Sequence, residues 1–134
     1  KGQMDFTAST GDSYKIAMYD SDATLAAATT DYSTSEEITN TSGTAYTAGG
    51  EALTNVTPVS SGTTAYTDFS DVSWTSASFT ANAALIYNTT TGTGSSTTDA
   101  VAAIAFGGDK TATSGTFTIQ FPAAAASTAI LRIA

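Results

Sequence analysis

The chain has 134 residues, a formal net charge of −8, and neither cysteine nor histidine. This length fits a single domain. Its acidic surface repels phosphate backbones and anionic lipids, and no apolar run approaches the length of a membrane span, so we expect neither nucleic acid nor a membrane as a partner. Without thiols and imidazoles the chain lacks thiol nucleophiles, disulfides, most zinc sites and the commonest general base.

The first regular pattern in the chain is a strand. Residues 1–12 lack strand periodicity and are interpreted as an N-terminal arm, whereas residues 13–134 are interpreted as one β-sandwich domain. From residue 13 to residue 19, Tyr14, Ile16 and Met18 alternate with less apolar residues, which predicts a half-buried strand.

A turn and a short surface helix are predicted next. Asp20 and Asp22 flank a serine, as in a turn, and residues 23–30 follow as a helix that Ser21 or Asp22 can cap. Leu25 is the strongly apolar residue of this segment. The Gly49-Gly50 pair then predicts a tight corner or bulge that opens the next strand, since glycine adopts positive φ without steric cost.

The remainder of the chain is rich in threonine and has apolar residues at a period near two, which is typical of strands. Two of the predicted strands form a hairpin around the SSGTT turn. Gly107-Gly108-Asp109 is predicted to be another turn. The predicted strands are 52–59, 65–72, 83–87 (the most apolar and therefore central), 101–106, 116–121 and 130–133.

These elements predict an all-β fold: a single antiparallel β-sandwich, jelly-roll or immunoglobulin-like, with one short surface helix. Leu85 and Ile86 are neighbours, so both can be buried only if both faces of their strand are covered. The predicted core consists of Ile16, Met18, Leu53, Val56, Phe69, Val72, Phe79, Leu85, Ile86, Val101, Ile104, Phe106, Phe117 and Ile119.

Carboxylates are the main candidates for chemistry. Asp20 with Asp22, and Asp68 with Asp71, offer oxygens that a hard cation such as Ca²⁺ prefers. Aspartate also starts turns and caps helices, and all four are expected at turns, so we favour the structural role. We therefore predict no metal site, no cofactor and no catalytic residues.

Four aromatic residues have two possible roles. Tyr46, Tyr66, Trp74 and Tyr87 are able to stack on sugars, but such residues more often pack in cores or corners while their polar atom finds a buried partner. We favour packing.

The order of several segments resembles a group of small proteins encoded among the virion genes of tailed bacteriophages, frequent in marine and cyanobacterial phages. The segments are YKIAMYDSDATL, then GTAYTAGGEALTN, DVSWTSASFTA, AALIYNTT and AIAFGGDKTATSGTFTI, which together run from about residue 14 to residue 119. The resemblance implies a virion component without enzymatic activity, a capsid decoration or cement protein on the outer surface of the head. Its partners would be the major capsid protein and copies of itself, as a dimer or trimer.

Two other functions remain open. A tail or fibre module that binds host-surface glycan would need exposed aromatics and carboxylates on one loop end. A secreted carbohydrate-active enzyme would need two carboxyl groups in a cleft.

The chain ends are the predicted contact residues. Apolar residues in terminal segments are normally disordered unless something holds them. We therefore predict that at least one terminus packs against a neighbouring subunit or the capsid. The predicted interface residues are Met4, Phe6, Ile130, Leu131 and Ile133.

Overall fold

The computed structural model describes residues 4–39, 43–90 and 97–133, and its regular elements there are all strands. They form two antiparallel sheets, with strand orders β2-β1-β5-β6 and β3-β4-β7. The predicted antiparallel β-sandwich is confirmed. The strands are β1 (Tyr14–Tyr19), β2 (Glu51–Ala52), β3 (Asn55–Ser61), β4 (Thr64–Phe69), β5 (Val72–Asn88), β6 (Ala100–Ile119) and β7 (Leu131–Ile133).

The predicted helix over residues 23–30 does not form. Thr29 closes a single turn there, because its N–H donates to the Ala26 carbonyl (3.0 Å) and its hydroxyl accepts from the Ala26 N–H (3.0 Å). The chain then extends alongside the start of β6, where the Ala100 N–H donates to the Thr30 carbonyl at 2.8 Å. This long-range pairing competes with helical hydrogen bonds and outweighs a weak local preference for helix.

The predicted turn at Gly107-Gly108 is also wrong, because β6 runs through it as one strand. Ala81 faces Lys110 and Ala83 faces Ala105, so β6 has three more residues than β5 over this interval. The extra residues form a bulge, and the two glycines take its positive φ angles, 71° and 139°. Glycine suits a bulge for the same reason that it suits a turn, so the local sequence did not separate the two.

The two faces of the four-stranded sheet bury separate clusters. Ile86 packs between the two sheets, and Leu85 packs on the other face beneath Leu25 and Tyr32. Both are fully buried, since the segment after β1 covers the outer face of the sheet.

The predicted core is confirmed in part. Ile16, Met18, Leu53, Phe69, Phe79, Leu85, Ile86 and Phe117 are buried, whereas Val56, Val72, Val101, Ile104, Phe106 and Ile119 are half-buried. Four of these half-buried side chains belong to β6, so the core is thinnest along that strand.

The N-terminal arm folds back onto the sandwich. The Phe6 ring stacks on Tyr14, with 4.7 Å between ring centroids, and meets Phe69 edge-on. The Asp12 N–H donates to the Asp5 carbonyl at 2.7 Å, and the Asp12 carboxylate accepts from the side chain of Asn88 at 2.8 Å. Across the described ranges, no helix is long and apolar enough to span a membrane.

Candidate functional site

Both chain ends meet at one apolar groove. β7 pairs antiparallel with β4, which sets Ile133 beside Ala65 and Leu131 beside Thr67, and Phe6 approaches from the N-terminal arm. The resulting groove has a volume of about 320 Å³. We call it the terminal groove, lined by Phe6, Pro58, Ala65, Tyr66, Thr67, Val101, Leu131, Arg132 and Ile133.

The predicted interface residues divide between exposed and packed positions. Met4 is 38% exposed and Ile133 is 78% exposed, whereas Phe6, Ile130 and Leu131 are half-buried. The terminal groove brings Phe6, Leu131 and Ile133 together. Ile130 packs against the core and lines a neighbouring groove, and Met4 lines neither. The sequence thus predicted apolar ends, but not their meeting at one place.

The neighbouring groove lies along β6 and has a volume of about 500 Å³. Its lining includes Ile104, Phe106 and Ile119, which stay half-buried, whereas Ile16 and Ile86 in the same sheet are fully buried. The inner face of the four-stranded sheet is therefore partly uncovered along β6. We call this the β6 groove, lined by Ile104, Phe106, Lys110, Thr111, Ala112, Thr116, Phe117, Thr118, Ile119, Gln120, Phe121, Pro122 and Ile130.

The terminal groove and the β6 groove together form the open side of the sandwich, and its charge is opposite to that of the molecule. None of the twelve acidic residues lines either groove, whereas Lys110 lines one and Arg132 the other. The Arg132 guanidinium donates to the Ser127 carbonyl at 2.8 Å, which fixes its position without a carboxylate. An apolar surface with basic edges favours a partner with apolar and acidic groups.

Two of the candidate carboxylates hold the C-terminal segment in place. The buried Asp68 accepts from the N–H of Phe69 (2.9 Å) and of Ile130 (3.3 Å), and Asp71 accepts from the Phe121 N–H at 2.8 Å. Asp68 lies inside β4, so the prediction that all four aspartates lie in turns is wrong for it. Its role is structural, since buried carboxylates need such donors.

The other two carboxylates join a third that the sequence did not suggest. Asp20, Asp22 and Glu36 place carboxylate oxygens within 4.8 Å of one another. A backbone hydrogen bond brings Glu36 next to Asp20, because the Asp20 N–H donates to the Glu36 carbonyl at 3.1 Å. The Asp22 N–H donates to the Asp20 carboxylate at 2.9 Å, which is the predicted turn role. The expectation that no metal binds here stays a prediction.

Most of the aromatic side chains are inside the molecule. Tyr46, Trp74 and Tyr87 are buried, so these three side chains have the packing role that we favoured. Tyr66 is half-buried in the terminal groove. None of the thirteen Phe, Trp and Tyr residues falls among the fully exposed ones. A stacking platform for sugars therefore has little aromatic surface to use.

A polar network around Glu37 covers the edge of β1, and sequence reasoning missed it. The buried Glu37 carboxylate accepts from the hydroxyls of Tyr32 and Tyr46, both at 2.6 Å, and from the Gly49 N–H at 2.7 Å. The Tyr46 hydroxyl in turn accepts from the Met18 N–H at 2.9 Å. The sequence signal was weak: a glutamate next to Ile38 in a chain with few charges.

Burial raises the pKa of the tyrosines in and around this network. Desolvation is the largest cause for Tyr46 and Tyr32, and the hydrogen bond to Glu37 raises both further. Desolvation also raises the pKa of Tyr19 and of Tyr87 to about 12. These phenols are therefore neutral hydrogen-bond donors at physiological pH, which suits support of the fold rather than acid–base chemistry.

Comparisons with protein-family models, with curated proteins and with solved structures found nothing that matches this chain.

Proposed function

We propose that this protein is a non-enzymatic structural component of a tailed-phage virion, a decoration protein that binds the outer surface of the capsid and stabilises it. Its partners are the major capsid protein and neighbouring copies of itself. The resemblance of its ordered segments to phage virion proteins motivates the proposal. The observation that supports it best is the open side, where Phe6 of the N-terminal arm meets Leu131 and Ile133 in one apolar groove and Ile130 lines the neighbouring groove.

The proposed contact with the capsid requires an extended surface rather than a deep cleft. Full burial of a side chain such as Leu131 or Ile133 is worth about 1.5–3 kcal/mol before ordering costs. One such contact is weak, but many copies on a symmetric shell multiply the modest binding free energy of each contact. Acidic residues line neither groove of the open side, so the other surfaces keep the particle charged and soluble.

The first test is binding to phage heads that lack this protein. Ile133→Ser should weaken binding about tenfold, because it replaces a largely exposed apolar side chain in the terminal groove. Val59→Ser is the matched control, since Val59 is also apolar and 49% exposed but is not among the residues that line the terminal groove. Thermal unfolding should confirm that both variants are folded.

Equal binding by Ile133→Ser and the unchanged protein would contradict a contact through the terminal groove. Cryo-electron microscopy of virions should place the protein's density on the head. Density on the tail or fibres would instead support the alternative, a module that binds host-surface glycan.

A further inference from the structure

β6 curves sharply around the β6 groove. The rings of Phe106 and Phe117 lie on this one strand, eleven residues apart in the chain, yet their centroids are 6.5 Å apart. Eleven residues of straight strand would span about 36 Å. Bulges bend a strand, and β6 has one at Gly107-Gly108 and a second register shift that includes Ser114, whose φ is 49°. Because both rings line the β6 groove, the groove lies on the concave side of the bend.

The concave side of β6 offers apolar surface that the described residues leave partly uncovered. Phe117 and Phe121 are buried there, whereas Ile104, Phe106 and Ile119 are only half-buried. The volume of about 500 Å³ lies within the range of small-molecule sites, which is roughly 300–1,000 Å³. Such sites are mostly apolar and contain a few polar groups that orient the ligand. The β6 groove therefore suits a ligand with an apolar body.

Lys110 is the one charged residue in the lining of the β6 groove. Its side chain is exposed and forms no ion pair or hydrogen bond with any residue that the structure describes. The carboxylate of the neighbouring Asp109 accepts instead from the Asn82 side chain at 2.8 Å. Arg132, at the terminal groove, differs because backbone carbonyls hold its guanidinium. A free ammonium beside apolar surface complements a ligand that carries one negative group.

We propose that the β6 groove binds an amphiphile with one anionic group, of the chemical class of a medium-chain fatty acid. Its apolar chain packs against Ile104, Phe106 and Ile119, and its carboxylate accepts hydrogen bonds from the Lys110 ammonium. The ligand thereby covers apolar surface that the three-stranded sheet leaves open.

Charge and size favour such a ligand over a segment of another protein. The net charge of the molecule is −8, so an anion is attracted only locally, and this lining contains a cation and no carboxylate. A stable protein interface covers about 800 Å² on each partner and contains about ten hydrogen bonds. One free cation beside a concave surface of ligand size matches a single small molecule instead.

Titration with decanoate, below its micelle concentration, tests the proposal on the isolated protein. Trp74 is the chain's one tryptophan and packs edge-on against Phe117 with 6.1 Å between centroids, so its fluorescence should change on binding. Calorimetry should show saturable binding at one site per chain. Decyltrimethylammonium has the same chain and the opposite charge, and it should bind at least about tenfold more weakly.

The comparison of the two amphiphiles is stringent, because the net charge alone would favour the cation. Absence of saturable decanoate binding would overturn the proposal, and so would equal binding of the two amphiphiles.

Two variants with the same change of net charge locate the site. Lys110→Glu should raise the dissociation constant of decanoate more than about tenfold, because it replaces the cation with a like charge. Lys15→Glu is the matched control, since Lys15 lies on β1 and does not line the groove. Screening by salt weakens distant charges, so this variant should change the constant by less than about twofold. Urea unfolding should show both variants folded, and equal constants for the two would overturn the proposal.

The inference does not rest on the proposed capsid contact. The β6 groove shares no lining residue with the terminal groove, where Ile133→Ser tests that contact. Decanoate binding is measured without phage heads, so either proposal can fail without the other. If decanoate did not bind but Lys110→Glu weakened binding to phage heads, the ligand proposal would be overturned, and the groove would dock a segment of the shell instead.

Discussion

At the β1 edge of the four-stranded sheet the chain covers the strand with its own residues 36–38 and 43–53. At the β6 edge, the part of the chain that the structure describes covers only the first few residues. The cover of β1 is not a long strand. It consists of the two-residue β2, a bridge between Tyr19 and Glu37, and the hydroxyl of Tyr46. A closed edge therefore depends here on a few polar contacts, and the other edge remains available for a partner.

The comparison also explains the Gly49-Gly50 pair. Gly50 adopts a φ of +69° at the point where the cover crosses β1, and a Cβ there would collide with the carbonyl group of Ile16. Gly107, in the bulge of β6, has almost the same φ, +71°, but open space around the position of a Cβ. The two glycines share one conformation and differ in crowding.

The largest expected effect is therefore from Gly50→Ala. The substitution should lower the free energy of unfolding by about 4 kcal/mol, because the cover must move away from β1. Gly107→Ala should cost only about 1 kcal/mol, the strain of a left-handed alanine. Urea denaturation of both variants measures the difference. Equal losses would mean that the closed edge is not tightly packed.

A smaller effect is expected from Tyr46→Phe. It leaves the buried Met18 N–H without its acceptor and removes one donor from Glu37, which should cost about 2 kcal/mol. Tyr66→Phe, a half-buried tyrosine on the open side, should change the free energy of unfolding by less than about 0.5 kcal/mol. A Tyr46→Phe protein as stable as the unchanged protein would show that the Glu37 network does not hold the cover.

A loss of stability is also expected in alkali. Folding raises the pKa of Tyr19 and of Tyr87 from about 10 to about 12, so the folded state holds these protons more tightly than the unfolded chain. Their contribution is complete below pH 10 and is lost as the pH rises from about 10 to about 12. Thermal unfolding across this range should show a falling midpoint.

Tyr87→Phe provides the control for the alkaline loss, because it removes one of the phenols whose pKa folding raises. Its midpoint should fall less steeply with pH than that of the unchanged protein. An equal slope would assign the loss to other groups.

Much of the sandwich was predictable because its signals are local. The alternation in β1, the hairpin of β3 and β4, and the apolar run inside β5 each appear within a few residues, and the structure confirms all three. For the candidate site, the sequence predicted only which residue types take part, not where they lie. Apolar residues near both ends were visible, but the groove requires β7 to pair with β4 and Phe6 to fold back onto Tyr14.

The sequence by itself determined the fold class and most strands of this protein, since strand periodicity depends on neighbouring residues and burial of one face. The tertiary structure alone decided how each edge of the sheet ends. After β1, pairing with β6 took the place of the predicted helix. The Gly107-Gly108 pair resembled a turn, but a register shift between β5 and β6 made it a bulge. Glu37 became buried because Tyr32, Tyr46 and Gly49 donate hydrogen bonds to it. Each outcome depends on which distant segments meet, because hydrogen bonds between them outweigh the weak preference of a short segment.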